Sequence, residues 1–297
     1  MSAPAALATP GPATHPQRRG FAVLGLVPFA TIVVAFLVLP ALSLLWGSIH
    51  DSTTGALTLA NFSYLGSASA LKPFENSILL AIASSIVGGA AGLLIASAAI
   101  SSRNPFIHDM AVTFSSVAAN FAGVPLAFAF ISTLGANGLL TNFLKDHGVD
   151  IYAGGFTIYG MAGLTVVYAY WQIPLMVLVI LPSLQALKPA WREAAEILGA
   201  SRWHYLRTVV IPVLTPPVLA SLLLLFANSF GAFATAYALT TGFVSLVPIS
   251  ISNLIAGDIT FNPGQGDALA VGLGAIMAVC IVGRVLLERR TSRWLRR

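Results

Sequence analysis

Long stretches without a charged side chain recur along this sequence, and they restrict its fold more than any other feature. Only 8% of the residues are charged, against roughly 25% in a soluble domain, so the surface of the chain must face lipid. A membrane-spanning helix needs about 20 mostly apolar residues. Six runs meet that length and predict an all-α bundle of six transmembrane helices, in residues 21–48, 77–100, 110–134, 157–184, 212–239 and 268–287.

A further apolar segment, residues 243–255, lies in a charge-free stretch that is long enough for two spans. This segment is short, contains Pro248 and follows Gly242. A seventh span would also bring the arginine-rich C-terminus to the outside. We therefore predict a partly buried segment on the outer side.

Basic residues cluster at one set of span ends, which sets the orientation. Cytoplasmic loops carry an excess of Lys and Arg. Only Lys72 and Lys145 fall on the predicted outer side. Both termini are therefore predicted to be cytoplasmic, together with the other thirteen basic residues: Arg18, Arg19, Arg103, Lys188, Arg192, Arg202, Arg207, Arg284, Arg289, Arg290, Arg293, Arg296 and Arg297.

The loop between the fourth and fifth spans has the pattern of a short helix, a turn and a second helix. Pro189 suits a first helical turn, where its missing N–H costs nothing. Gly199 fits a position past a helix end, where positive φ is common. Ser201 can cap the next helix, and Pro212 would bend or restart it on entering the membrane. The loop is predicted to dock on a partner, or alternatively to lie as an amphipathic helix on the lipid surface.

The loop sequence resembles the E-A-A motif of permease subunits of ATP-binding-cassette (ABC) importers. Glu193-Ala194-Ala195 is followed after three residues by Gly199, and then by an aliphatic pair and Pro212 at the family spacing. Residues 74–77, Phe-Glu-Asn-Ser, resemble the F-x-N-S pattern that is common in these permeases at the start of the second span. Residues 228–239 resemble the fifth-helix region of the polyamine, ferric-iron, sulfate and phosphonate branch. The resemblance covers roughly residues 74–290 and implies a type I importer permease.

The resemblance also implies partners and roles. In that family two permeases, identical or homologous, work with a cytoplasmic ABC ATPase dimer and an external substrate-binding protein. The loop would be a coupling helix, with Glu193 as the ionic contact, Ala194 and Ala195 as the packed surface and Gly199 as the turn. Cargo would be a small polar solute, such as a polyamine, ferric iron, sulfate or a phosphonate.

No catalytic pattern is present, so we expect a transport subunit and not an enzyme. The phosphate-binding pattern G-x-x-x-x-G-K-[ST] is missing, and the histidines have no metal-ligand spacing. ATP hydrolysis is expected on a separate chain. We expect neither a cofactor nor a metal, and we expect the bilayer, not nucleic acid, to explain the basic residues.

Polar residues inside the predicted spans are candidates for a translocation path: Asn120, Tyr168, Gln172 and Asn228. Such groups need partners or water at membrane depth, and a hydrogen bond between helices is the alternative for each. The first five predicted spans contain no Asp, Glu, Lys or Arg. This counts against the alternative function, a proton- or sodium-driven secondary transporter.

Three regions are predicted along the chain: a disordered cytoplasmic tail in residues 1–17, a permease domain in residues 18–290 and a basic cytoplasmic C-terminus in residues 291–297. The composition of the tail, rich in Ala, Pro and Thr, has no apolar period. We expect a multi-pass protein of the bacterial inner membrane.

Cysteine labelling tests the predicted topology. Reagent added outside intact cells should modify cysteines introduced near Asp146 and Asp258, because both are predicted to be external. Cysteines near Ser201 or the C-terminus should stay unmodified. Labelling at Ser201 in intact cells would contradict the orientation.

Overall fold

The protein is helical, as the apolar runs predict. A computed structural model describes residues 19–52, 54–102, 104–256 and 262–295. Within these ranges the extended structure is one isolated bridge, between His50 and Leu57. The α-helices are α1 Arg19–Val33, α2 Leu39–Ser48, α3 Ala60–Ser63, α4 Ala68–Ser101, α5 Pro105–Ala118, α6 Val124–Leu134, α7 Leu139–Asp146, α8 Met161–Gln185, α9 Pro189–Ile197, α10 Arg202–Tyr205, α11 Ile211–Phe230, α12 Ala234–Thr240, α13 Val247–Ala256 and α14 Pro263–Leu295.

Six helical stretches of the described chain are long and apolar enough to cross a membrane, which confirms the predicted number. The predicted tail, residues 1–17, lies outside the described residues, as do Arg103 and Asp258. The six helical stretches that could cross a membrane are Leu26–Ser48, Ala68–Ser101, Val124–Asp146, Met161–Gln185, Arg202–Phe230 and Pro263–Arg289.

Two compact units make up the chain, and they divide after Trp46. The first contains α1, the π-helical turn Val34–Val38 and most of α2. Its apolar side chains, such as Phe29 and Phe36, are exposed within the unit. The second unit, residues 47–297, contains the other five candidate spans.

The third predicted span is wrong in its bounds. Residues 110–134 do not form one helix, because α5 ends at Ala118 and α6 begins at Val124. Between them Gly123 has φ +77°, a conformation that glycine adopts at no steric cost. The stretch long enough to cross is instead Val124–Asp146, which joins α6 to α7.

The fifth predicted span also ends earlier than expected. Helix α11 stops at Phe230, and residues 234–240 form the separate short helix α12. Before α11, the π-helical turn Leu206–Val210 precedes Pro212, where the sequence predicts a bend or restart. The segment 243–255 gives α13, which has ten residues and is too short to cross; Val247, Ile249 and Leu254 are buried in it, as predicted.

Helix α4 is the central element of the second unit because its glycines let two helices approach closely. A Cβ atom added to Gly92 would lie 2.5 Å from the carbonyl oxygen of Ile173 in α8. One added to Gly89 would lie 2.5 Å from Leu222 Cδ2 in α11. Real Cβ atoms do not come so close, so only glycine fits at position 92, where the neighbour is backbone, whereas the end of the Leu222 side chain can move aside at position 89. Small residues are common where membrane helices pack tightly.

The same contacts give the directions of the helices. Gly88 lies against Gln172 and Gly92 against Met176, so α4 and α8 run parallel. Ser84 contacts Ser229 of α11, whereas Gly89, further along α4, contacts the earlier Leu222, so α11 runs antiparallel to α4.

Helix α14 runs antiparallel to α11, since Gly231 contacts Met277 and Gly283 contacts Leu223. The ends of α4, α8 and α14 therefore meet the start of α11. This end of the second unit has the described basic residues Lys188, Arg192, Arg202, Arg207, Arg284 and Arg289. Lys72, at the start of α4, lies at the opposite end.

Substitution of Gly92 tests the close packing of α4. Gly92→Ala should lower the free energy of unfolding by about 1–3 kcal/mol, because the new methyl group meets backbone atoms of α8 that cannot move aside. The thermal unfolding midpoint of the purified protein in detergent would report this loss. Gly274→Ala is the matched control, because a Cβ atom at Gly274 meets nothing within 4 Å. Equal midpoints for the two variants would contradict this packing.

Candidate functional site

The loop between α8 and α11 folds as its sequence predicts. Pro189 occupies the first turn of α9. Gly199 has φ +75° and donates its N–H to the carbonyl of Glu196 at 3.0 Å. Ser201 caps α10 by accepting a hydrogen bond of 3.2 Å from the N–H of His204. The turn between the two helices is thus fixed by local hydrogen bonds.

The surface of this loop is open. None of the α9 residues is buried, and Ile197, the last of them, and the next residue, Leu198, are each 86% exposed. Two adjacent aliphatic side chains so exposed are open to contact with a partner or with a lipid surface, the two alternatives that the sequence leaves. Between α9 and α10 lies a hollow of about 620 Å³, lined by Ala195, Leu198, Gly199, Ala200, Ser201, His204, Tyr205 and Thr208.

The two acidic residues of α9 differ in their partners. Glu196 accepts a hydrogen bond of 2.9 Å from Nε of Arg192, one turn away. This bond raises the pKa of Arg192. Glu193 is exposed, and its carboxylate makes no hydrogen bond or ion pair with any residue that the structure describes. Its carboxylate is therefore available to a cation on another protein, next to the small side chains of Ala194 and Ala195.

Two of the four predicted path residues are buried between helices. Tyr168 is fully buried, and its hydroxyl donates to the carbonyl of Ala232 at 3.0 Å. Gln172 is also fully buried, and its Nε2 donates to Ser84 Oγ at 3.1 Å and Ser85 Oγ at 3.3 Å. These bonds favour the alternative interpretation for both residues, that they join helices.

Asn120 and Asn228 are exposed instead. The Nδ2 of Asn120 donates to the carbonyl of Ser116 at 2.8 Å, within its own chain segment. The side chain of Asn228 makes no hydrogen bond within the described part of the chain. A carboxamide facing lipid tails is costly, and such groups normally face protein or water. These two residues therefore fit a path or a partner better than a lipid-facing surface, and the structure does not bring all four candidates together.

Two sets of hydrogen bonds between distant segments were not predicted from the sequence. Thr235 bonds the backbone of Gly123 across 112 positions. In the motif at residues 74–77, Asn76 donates to the carbonyl of Ser245 at 2.9 Å, and Ser77 accepts from the N–H of Val247 at 2.9 Å. The hydrogen bonds of Asn76 and Ser77 attach α13 to α4. The resemblance of residues 74–77 to a family motif was the sequence feature that could have indicated a role for these two residues.

These features define a polytopic membrane protein with an exposed loop between its fourth and fifth candidate spans. Residues 88–297 match the family described as "Binding-protein-dependent transport system inner membrane component". Because this match covers more than half of the chain, the protein belongs to that family.

Several characterised permeases are similar in sequence. The sulfate transport permease CysT of Escherichia coli is 33% identical over 166 residues, which are 54% of this chain and 55% of CysT. The thiamine transport permease ThiP of the same organism is 28% identical over 170 residues, 56% of this chain and 30% of ThiP. The matched part of the chain thus spans 30% of ThiP and 55% of CysT.

Solved structures share the whole fold. A bacterial ABC transporter that imports the acidic polysaccharide alginate has a TM-score of 0.64 at 17% identity, covering 93% of this chain and 96% of that one. The same kind of transporter, in complex with a periplasmic protein bound to an alginate pentasaccharide, has a TM-score of 0.67, with 94% and 96% covered. The chain therefore has the fold of a type I ABC importer permease.

Leucine substitutions test the difference between the buried and the exposed amides. Gln172→Leu should lower the unfolding midpoint of the purified protein, because it removes two bonds between α4 and α8, each worth about 0.6 kcal/mol in a membrane protein. Asn120→Leu and Asn228→Leu should leave the midpoint unchanged and reduce solute uptake. A midpoint unchanged by Gln172→Leu, or uptake unchanged by both asparagine variants, would contradict these assignments.

Proposed function

We propose that this protein is the transmembrane permease subunit of an ATP-driven, binding-protein-dependent importer of a small polar solute. The observation that carries the proposal is the open loop of residues 189–201, with an unpartnered carboxylate at Glu193 and the family spacing to Gly199. Family membership supports the same function.

The loop is the proposed contact with a separate ATPase. Glu193 would bind an arginine or lysine of that partner, since a charge-assisted hydrogen bond is about twice as strong as a neutral one. Ala194 and Ala195 would allow close approach, and Gly199 would hold the turn. Movement of two ATPase subunits would then move two such loops and switch the permease pair between inward and outward access.

The charge distribution supports the proposed orientation. The basic end of the second unit includes this loop, and the positive-inside rule assigns such an end to the cytoplasm. Both termini are proposed to lie on the same side, with a tail in residues 1–17, the permease domain in residues 18–290 and a basic C-terminus in residues 291–297. The further partners are an identical or homologous second permease and an external substrate-binding protein.

The proposed cargo is a small polar solute. The relatives named for sulfate, thiamine and molybdenum transport support this class. The solutes predicted from the sequence are polyamines, ferric iron, sulfate and phosphonates. Of these, only sulfate is named for one of the three relatives. The alternative, a proton- or sodium-driven secondary transporter, has no support among the comparisons.

Substitutions in the loop test the coupling. Glu193→Ala should reduce ATPase association or uncouple hydrolysis from transport about tenfold or more, because a charge-assisted bond at a desolvated contact is worth about 1.5–3 kcal/mol. Gly199→Val should have a larger effect, since a β-branched residue tolerates positive φ poorly. The measurements are the yield of complex with the cognate ATPase and the hydrolysis stimulated by the loaded binding protein.

Glu75→Ala is the control for the yield of complex. Glu75 is an exposed carboxylate paired with Lys72 at the opposite end of the second unit, so its loss should leave ATPase association intact. Wild-type association and coupling in both loop variants would overturn the importer proposal.

A further inference from the structure

Two breaks between consecutive helices of the second unit lie against each other. One separates α5 from α6 at residues 119–123, and the other separates α11 from α12 at residues 231–233. The side chain of Thr235, just after the second break, reaches the backbone of Gly123 at the end of the first. Helices α6 and α12 then pack along each other.

Three hydrogen bonds hold the two breaks. The N–H of Gly123 donates to Thr235 Oγ1 at 2.9 Å, and the same hydroxyl donates to the carbonyl of Gly123 at 3.3 Å. From α8, the Tyr168 hydroxyl donates to the carbonyl of Ala232 at 3.0 Å. We call this set of contacts among Gly123, Tyr168, Ala232 and Thr235 the clasp.

The clasp follows from the chemistry of a broken helix. Each helix end leaves backbone N–H and carbonyl groups without partners inside the helix. In an apolar environment an unsatisfied group costs several kcal/mol, so broken helices persist only where other groups of the protein bind them. Thr235, 1% exposed, and Tyr168, fully buried, supply these bonds where water has little access.

Each break also exposes an amide or an aromatic side chain near the clasp. Before Gly123, Asn120 and Phe121 are exposed, the latter by 43%. Around the second break Asn228 is exposed and Phe233 is 36% exposed. The clasp therefore fixes the segments that carry the exposed candidate path residues.

The second break is joined to the proposed coupling loop by a continuous helical stretch that includes the π-helical turn Leu206–Val210. Ser201 caps the start of this stretch, which runs from Arg202 to Phe230 over 29 residues. At 1.5 Å per residue it is about 43 Å long. Displacement of the loop by a partner is thus carried along a helix to the second break, at Gly231.

We propose that Thr235 is a positioning residue for transport, whose hydroxyl couples the α11–α12 break to the α5–α6 break so that both segments move together. This inference rests on the proposed function, since it needs a loop that an ATPase moves. Without the hydroxyl, movement of α11 is not transferred to residues 119–123.

The test compares two threonines of the same short helix. Thr235→Val removes the clasp hydroxyl and retains the size of the side chain. Thr240→Val is the matched control, because Thr240 is also 1% exposed and bonds only the carbonyl of Ala236 in its own helix. Thr235→Ser restores the hydroxyl. Tyr168→Phe removes the third hydrogen bond of the clasp, from Tyr168 to Ala232. This variant tests whether the clasp is needed for coupling if Thr235→Val does not fold.

Two readouts are taken on the full permease complex in lipid nanodiscs. In Thr235→Val, hydrogen exchange of the peptide 119–128 should accelerate about tenfold, because the variant loses both hydrogen bonds to the backbone of Gly123. The solute transported per ATP should fall about fivefold while basal hydrolysis persists. Tyr168→Phe should change both readouts in the same direction. Thr235→Ser and Thr240→Val should resemble the wild type in both.

Several outcomes would overturn the proposal. Thr235→Val and Thr240→Val could give equal values in both readouts, Thr235→Val could exchange faster yet transport a normal amount of solute per ATP, or Thr235→Ser could fail to restore the wild-type values. Normal coupling in Tyr168→Phe, where Thr235→Val cannot be purified, would do the same. A wild-type permease that does not associate with its ATPase would refute the proposed function instead. In that case exchange at residues 119–128 of the permease alone still reports whether the clasp exists.

Discussion

Satisfying backbone hydrogen bonds without water is the constraint on which the rest of this structure depends. A straight helix meets it internally, but α5–α6 and α11–α12 are broken. The chain supplies partners from elsewhere: Thr235 for Gly123 and Tyr168 for Ala232. Asn76 and Ser77 do the same for the turn that begins α13. The arrangement of the short helices against α4 and α8 is therefore set by a few hydroxyl and amide side chains, whereas apolar packing alone would leave it free.

Much of the fold could be predicted from the sequence, because membrane helices leave strong local signals. The lengths of the charge-free runs predicted six spans. Within the loop, Pro189, Gly199 and Ser201 predicted the helix, the turn and the cap. The helix breaks were missed for a physical reason. A break inside an apolar run changes neither hydropathy nor charge, and the residues that stabilise it are distant in sequence. Gly123 is paired with Thr235, and neither alone indicates a break.

The candidate site was predictable only where it depends on local sequence. The exposure of Glu193 follows from its position on an amphipathic surface helix, which periodicity indicates. For the membrane residues, polarity identifies a group that needs a partner but not which partner it has. The Tyr168 hydroxyl and the Nε2 group of Gln172 have partners inside the chain, although the buried Oε1 of Gln172 has none among the described residues. The side chain of Asn228 has no partner in the part that the structure describes. That distinction depends on tertiary packing of α4 against α8 and α11.

The parallel packing of α4 against α8 has a consequence for synthesis of the protein. Parallel neighbours cannot be consecutive, so Ser84 meets Gln172 only after 88 further residues and Ser229 after 145. At about 5–20 residues per second, α4 waits roughly 4–18 s before its first polar partner is made. During that interval the serines and glycines of α4 that later contact α8 and α11 face lipid or the insertion machinery. The polar centre of the second unit is completed only when α11 enters the membrane, because Ser229 of α11 is the last partner of Ser84 to be synthesised.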